Sequence, residues 1–384
     1  MTIEISSQEE ILSKASEEEV RIEKGKVLEN QGVPLFAYKF EKTHSAQEVL
    51  EKYSSLQIDE ISNDPIVLAG RMMAKRGHGK AFFANLQDET GTIQLYANIE
   101  ALGEKNYNQL LTFDTGDILG IKGTPFRTKR GELSIKVKEI ELLTKSYKPL
   151  PEKYHGLQDK EIRYRQRYVD LIVNEEVRNS FKTRSTILYE IRQLLHSKGF
   201  MEVETPVLHS IYGGASARPF KTFHNSLGQE LYLRIALELH LKRLLVGGFE
   251  KVFEIGRVFR NEGVSYKHNP EYTLLELYQA YVDYETIMAL TEEILHTLIT
   301  KLTGSEDINF QGQALTFKLP FKKQTLRDAI LEHAEIDTEA PIEELWDKAK
   351  KLGLDTEIIT NYSQLCDFIS TRYQYGSNKS IVPV

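Results

Sequence analysis

The stretch from Val252 to Tyr281, VFEIGRVFRNEGVSYKHNPEYTLLELYQAY, decides how the chain is read. Apolar residues alternate with others on both sides of a polar centre. Val252 to Arg260 and Glu271 to Tyr281 therefore read as antiparallel strands joined by the loop from Asn261 to Pro270. Side chains along a strand point to alternate faces, so Tyr272, Leu274, Glu276 and Tyr278 share one face and Thr273, Leu275 and Leu277 the other. The apolar face can be buried in a domain, which leaves the Tyr/Glu/Tyr face over a cavity. Arg260 stands at the exit of the first strand, with Glu262 two residues on and Lys267 and His268 in the loop. A guanidinium grips phosphate through paired hydrogen bonds, an aromatic ring stacks on a base, and carboxylates hold an ammonium group. The mixture suits a nucleoside triphosphate beside an amine-bearing substrate. Taken alone, it equally suits a solvated hairpin in which Arg260 and Glu262 pair with each other.

Outward from the hairpin, strand-like pieces stand at MEVET, LYLRI and KVFEIGRVFR, and helical ones at DKEIRYRQRYVDLI, EVRNSFKTRSTILYEIRQLLHSKG and ETIMALTEEILHTLITKL. Helices and strands mixed without a βαβ rhythm favour an antiparallel α+β domain. Upstream, between Pro65 and Leu143, five short β-rich runs separated by turns such as DETG and KRGE, with a helical insertion near Leu102 to Leu111, suggest a closed barrel of the OB type. In it Phe82, Ala84, Leu86, Ile93 and Leu95 would fill the interior, while Phe83, Asn85, Gln94 and Tyr96 would project to an open face. An exposed ring beside amides suits splayed single-stranded bases, although Phe83 packed under a loop is the plainer alternative. Ser7 to Gly32 reads as one or two surface helices, and KSYKPLPEKYHGL as a linker. The expected fold is thus α+β and multidomain: a helical extension over residues 1–60, an OB barrel over 61–148, a linker over 149–160 and the α+β domain from 161 to 384.

With 384 residues, 41% hydrophobic and 27% charged, the chain is long for a single core. No run of eighteen apolar residues occurs, and MTIEISSQEE lacks the layout of a signal peptide, so the expectation is no membrane and a cytoplasmic site. A single cysteine, Cys366, excludes a disulfide framework and a Cys-rich zinc site, and reads as a packing residue. The net charge of -7 requires that any nucleic acid be held by local basic patches. Arg71, Lys75, Arg76, Arg127, Lys129 and Arg130 offer one on the barrel.

GFMEVETPVL, YLRIALELHLKRLLVGGFEKVFEIGRVFRNEG and HNPEYTLLELYQAY resemble the first and second signature motifs of class II aminoacyl-tRNA synthetases, in the form found in the lysyl group. GLQDKEIRYRQRYVDLI, GGASARPF and the barrel's GRMMAKR, GKAFF and LQDETGTIQLY resemble the same family, in the same order, from about Glu23 to about Leu326. The resemblance implies an OB-fold anticodon-binding barrel followed by a class II antiparallel-sheet catalytic domain. It implies activation of lysine with ATP and Mg²⁺, then transfer to lysine tRNA, by a homodimer. Arg260 would contact the ATP α-phosphate and the lysine carboxylate. Glu262 and His268 would join the adenine and outer-phosphate contacts, with Tyr272 near the adenine. Gly214, Glu238, Glu276 and Tyr278 would receive lysine, Glu238 toward its α-ammonium. Phe83, Gln94 and Glu132 would read the anticodon, and Pro206 would lie at the dimer interface.

The family's third motif, with its phosphate-gripping arginine and the acidic Mg²⁺ ligands before it, finds no counterpart after Pro320. Only Gly353, Gly376, Arg327 and Arg372 supply glycine or arginine there, and the tail ISTRYQYGSNKSIVPV resembles no part of the family. The expectation is an incomplete catalytic domain, without identifiable metal ligands and weakly active or inactive. Leu237 and Gly256 stand where the family has proline and asparagine. A non-catalytic RNA-binding or dimerising remnant stays open. A lysine-adenylating relative that modifies protein is disfavoured by the barrel. Aspartyl and asparaginyl synthetases share the architecture, but the HNPEYTLLELYQAY face suits lysine better.

Overall fold

The barrel forms because five strands can share one interior. In the computed structural model, which describes residues 16–151, 157–264 and 268–351, these are β1 (Ile66–His78), β2 (Ala81–Gln87), β3 (Thr92–Asn98), β4 (Ile118–Arg127) and β5 (Leu133–Thr144). They close in the order β1-β2-β3-β5-β4, with β4 returning to pair antiparallel with β1. Phe82, Ala84, Leu86, Ile93 and Leu95 are all buried, joined by Leu68, Met72, Leu119, Ile121 and Ile135. Short helices at Ile99–Leu102 and Glu104–Thr112 fill the β3–β4 connection. The β2–β3 turn is held by Asp88, whose carboxylate accepts the N–H groups of Ala46, Thr90 and Gly91. Burial alone would raise this carboxyl, yet those donors together hold it below its usual range.

The segment before the barrel is less separate than the sequence suggests. The helix Glu17–Asn30, opened by a capping box of Ser16 and Glu19, turns Arg21, Gly25 and Leu28 inward and leaves Ile22 and Val27 exposed. Leu28, Leu35, Val49 and Tyr53 belong to the same hydrophobic cluster as the barrel interior. Arg21 donates to the Thr115 carbonyl, and Lys24 pairs with Asp114. Beneath them Lys145, fully buried, bridges Asp114 and Asp117 at 2.7 and 3.0 Å. The described part of this segment, residues 16–60, therefore contributes side chains to the same core as the barrel. Residues 1–15 and 152–156 of the expected helix and linker lie outside the described residues.

A second unit begins at Phe181. The helix Glu175–Ser197 ends where Gly199 takes a positive φ, as the Lys198-Gly199 pair foretells. Strand β6 (Met201–Glu202) pairs with β10 (Lys251–Phe259), and β10 with β11 (Glu271–Gln279). β10 and β11 are antiparallel, but β6 runs parallel to β10, a departure from a wholly antiparallel sheet. A smaller sheet joins β7 (Leu208–His209), β9 (Gln229–Leu233) and β8 (Lys221–His224). On one face of the main sheet Phe253, Ile255, Leu275 and Leu277 pack with Ile191 and Leu195 and with Leu290 and Ile294 of the helix Tyr284–Thr303. On the other, Val252, Val258, Tyr272, Leu274 and Tyr278 pack with Leu237 and with Leu241 and Leu244 of the short helix Glu238–Val246 that follows it.

Candidate active site and nucleic-acid face

The β10–β11 register pairs Val252 with Tyr278, Glu254 with Glu276, Gly256 with Leu274 and Val258 with Tyr272. Opposed residues share a face, so all eight stand on the side of Arg260. The alternation read from sequence holds, but the Tyr/Glu/Tyr face is half-buried under the Glu238–Val246 helix and does not lie bare over a cavity. Arg260 leaves the strand with its N–H on the Pro270 carbonyl. Its guanidinium carbon stands 5.4 Å from the Tyr272 ring centre, and its Nε donates to the Ile235 carbonyl at 3.4 Å. Glu262 and His268 are exposed in the loop, and Lys267 lies outside the described residues.

Glu276 is placed from two directions. Leu237 N–H donates to its Oε1 at 3.0 Å, and the Tyr278 hydroxyl donates to its Oε2 at 3.2 Å. Burial, then the nearby charges of Glu276 and Glu238, raise the Tyr278 hydroxyl pKa, so it remains a donor at neutral pH. Gly214, with a positive φ, stands where an added Cβ would meet the Glu238 Cβ at 2.8 Å. Glu238 in turn pairs with Lys242, whose ammonium lies 5.8 Å from the Tyr278 ring centre. Gly214 is thus beside Glu238, and Glu238 and Glu276 are both near enough to Tyr278 for their charges to act on its hydroxyl. Among the described residues no three His, Cys, Asp or Glu side chains converge to hold a metal ion, so no Mg²⁺ ligand is assigned.

Arg234, only 4% exposed at the start of the YLRIALEL stretch, is a residue that strand alternation does not single out. Its signal is Glu254, a carboxylate on the same strand face as Val252 and Val258, which requires a buried partner. Arg234 supplies it through a 2.6 Å contact. Near Pro206, which is itself exposed, Val207, Leu208, Ile211 and Tyr212 are exposed apolar residues. His209 Nε2 donates to the Pro206 carbonyl, and burial, opposed by that bond, lowers its pKa.

On the barrel, Phe83, Tyr96 and Phe126 form a row of tilted rings with centroids 5.1 and 5.7 Å apart. Phe83 is half-buried against Tyr96. Gln94 differs from expectation: it is 7% exposed, because its amide donates to Glu132 and accepts from Ser134. Of the basic residues, Arg71, Lys75 and Arg127 are occupied by backbone carbonyls, whereas Arg76, Lys129 and Arg130 are exposed.

A closed OB barrel followed by this sheet and hairpin is the pair of parts that the class II tRNA synthetase family combines. Residues 66–143 match the OB-fold nucleic acid binding domain, residues 159–378 match the tRNA synthetases class II (D, K and N), and the chain belongs to that family. The second match runs past Leu326 and into the tail from Ile369, further than the sequence resemblance reached. Similar proteins include lysine–tRNA ligases of Halalkalibacterium halodurans (53% identical; 83% of this chain, 64% of the relative) and Carboxydothermus hydrogenoformans (50%; 88% and 69%). That of Syntrophomonas wolfei is 49% identical over 95% of this chain and 73% of its own length. The chain spans 64% of the Halalkalibacterium halodurans protein, a little under two thirds. No helix among the described residues is long and apolar enough to cross a membrane.

Proposed function

We propose that the chain carries lysine–tRNA ligase activity: it activates lysine with ATP and Mg²⁺ to lysyl-adenylate and transfers lysine to its tRNA in the cytoplasm. The observation that carries the reading is the Glu276–Tyr278 pair on the sheet face that also bears Arg260, with Glu238, beside Gly214, close enough to act on the Tyr278 hydroxyl. Carboxylates of Glu238 and Glu276 attract the two ammonium groups of lysine, and the Tyr278 hydroxyl keeps Glu276 oriented. Arg260 stabilises the charge that develops as the lysine carboxylate attacks the α-phosphate, with Tyr272 beneath it for the adenine and Glu262 and His268 toward the phosphates. Pyrophosphate leaves, and the tRNA ribose hydroxyl then attacks the lysyl carbonyl of the adenylate, forming the ester as AMP departs. Positioning and electrostatics supply the rate, without a covalent protein nucleophile. Phe83 and Glu132 read the anticodon, with the buried Gln94 amide holding the Glu132 carboxylate in place, and the exposed apolar residues about Pro206 meet a second copy.

Lysine-dependent ATP–pyrophosphate exchange, with Arg260→Ala as control, tests the reading. Exchange above the control is expected. Its absence overturns ligase activity for this chain, and retained binding of lysine tRNA would then leave a tRNA-binding protein.

A further inference from the structure

We infer that Arg234 is a positioning residue that sets Arg260 and Glu276 through the segment it anchors, Arg234 to Leu237. The inference rests on the lysine-activation reading for its catalytic consequence, although its geometry does not.

The Arg234 guanidinium makes four hydrogen bonds. Nε donates to the Arg257 carbonyl at 2.8 Å, and Nη1 donates to the Thr205 carbonyl at 3.0 Å, Thr205 Oγ1 at 3.2 Å and Glu254 Oε1 at 2.6 Å. Thr205 closes the ring by donating its hydroxyl to Glu254 Oε2. One side chain therefore ties the turn before Pro206 to the end of β10. Gly256 gives this seat its present form, since an added Cβ there would clash with Nη2 and displace the guanidinium. The backbone repeats the tie, since Arg234 N–H donates to Val207 and its carbonyl accepts from Phe259.

From this anchor two arms reach the site. The Ile235 carbonyl receives Arg260 Nε, and the Leu237 N–H holds Glu276. A shift of the segment moves both groups together, and a misplacement of about 1 Å costs on the order of 100-fold in rate. Lysine at position 234 keeps the charge but lacks the planar fork that spans these acceptors. Leu237 contributes a backbone donor, which proline in its place would abolish for the Glu276 arm alone.

The test measures Arg234→Lys, Gly256→Ala and Leu237→Pro by two readouts. The first is the arginine Nε–H NMR signal of Arg260, identified by its disappearance in Arg260→Lys. The second is lysine-dependent pyrophosphate exchange. Arg234→Lys and Gly256→Ala are expected to shift the Arg260 signal and to lower kcat/KM about 10–100-fold, with the double variant no worse than the poorer single one. Leu237→Pro, which restores the residue that the family has at that position, removes the N–H bond to Glu276 and should leave the Arg260 signal in place. An unmoved Arg260 signal in folded Arg234→Lys or Gly256→Ala, or additive losses in the double variant, overturns the inference. Absence of exchange in the unaltered chain fails the ligase reading alone, because the NMR arm is independent of turnover.

Discussion

Glu276 holds its carboxylate between a backbone N–H and a phenol, so its charge can be removed with little change in shape. Glu276→Gln is expected to weaken lysine binding by about 10–100-fold, the equivalent of a charged hydrogen bond of roughly 1.5–3 kcal/mol, without lowering thermal stability. Tyr278→Phe removes only the orienting donor, and a smaller loss of about 3–10-fold is expected from a neutral hydrogen bond of ~0.5–1.5 kcal/mol. Calorimetric titration with lysine checks both. Gly214→Ala forces a side chain into a left-handed backbone and against Glu238, at about 1–3 kcal/mol of local strain, and should weaken lysine more than ATP. The faces of β11 could be read in advance, since a period of two is a local property. Arg234 could not, because its acceptors lie 29 and 20 residues away in Thr205 and Glu254. Gln94 is a second such case: it shares its face with Phe83 as alternation requires, yet Glu132, from the turn into β5, closes over it.

Among the elements, the Glu17–Asn30 helix shows how charge decides packing. Its apolar spacing suggested a surface helix, but the buried stripe carries Arg21, whose partner is the Thr115 carbonyl. Lys24 and the buried Lys145 both pair with Asp114. Burial would raise the Asp114 carboxyl, but hydrogen bonds from Lys145 and Lys24 and their charges hold it below its ordinary value. A carboxyl depressed in the folded state stabilises it fully above the unfolded pKa, and that contribution is lost as pH falls through the folded one. Stability of the helix–barrel unit should therefore fall below about pH 3.9, the ordinary aspartate value. In Asp114→Asn that acid step should shrink, and stability at neutral pH should drop by about 1–3 kcal/mol. Urea unfolding followed at several pH values reads both effects.

At the scale of the whole molecule, residues 1–180 and 181–384 form two units with separate hydrophobic cores. Units with their own cores unfold with their own cooperativity, so calorimetry should resolve two transitions. Ile121, fully buried in the barrel, gives a way to separate them. Ile121→Ala should lower the barrel transition by about 2–5 kcal/mol and weaken tRNA binding, while leaving lysine-dependent pyrophosphate exchange unchanged. The seat of Arg234 over Gly256 also ties the two positions together: an added Cβ at 256 clashes with Arg234 Nη2, so a larger residue there requires the guanidinium to be carried differently. Change at either position is thus felt at the other, and the pair drifts as a unit.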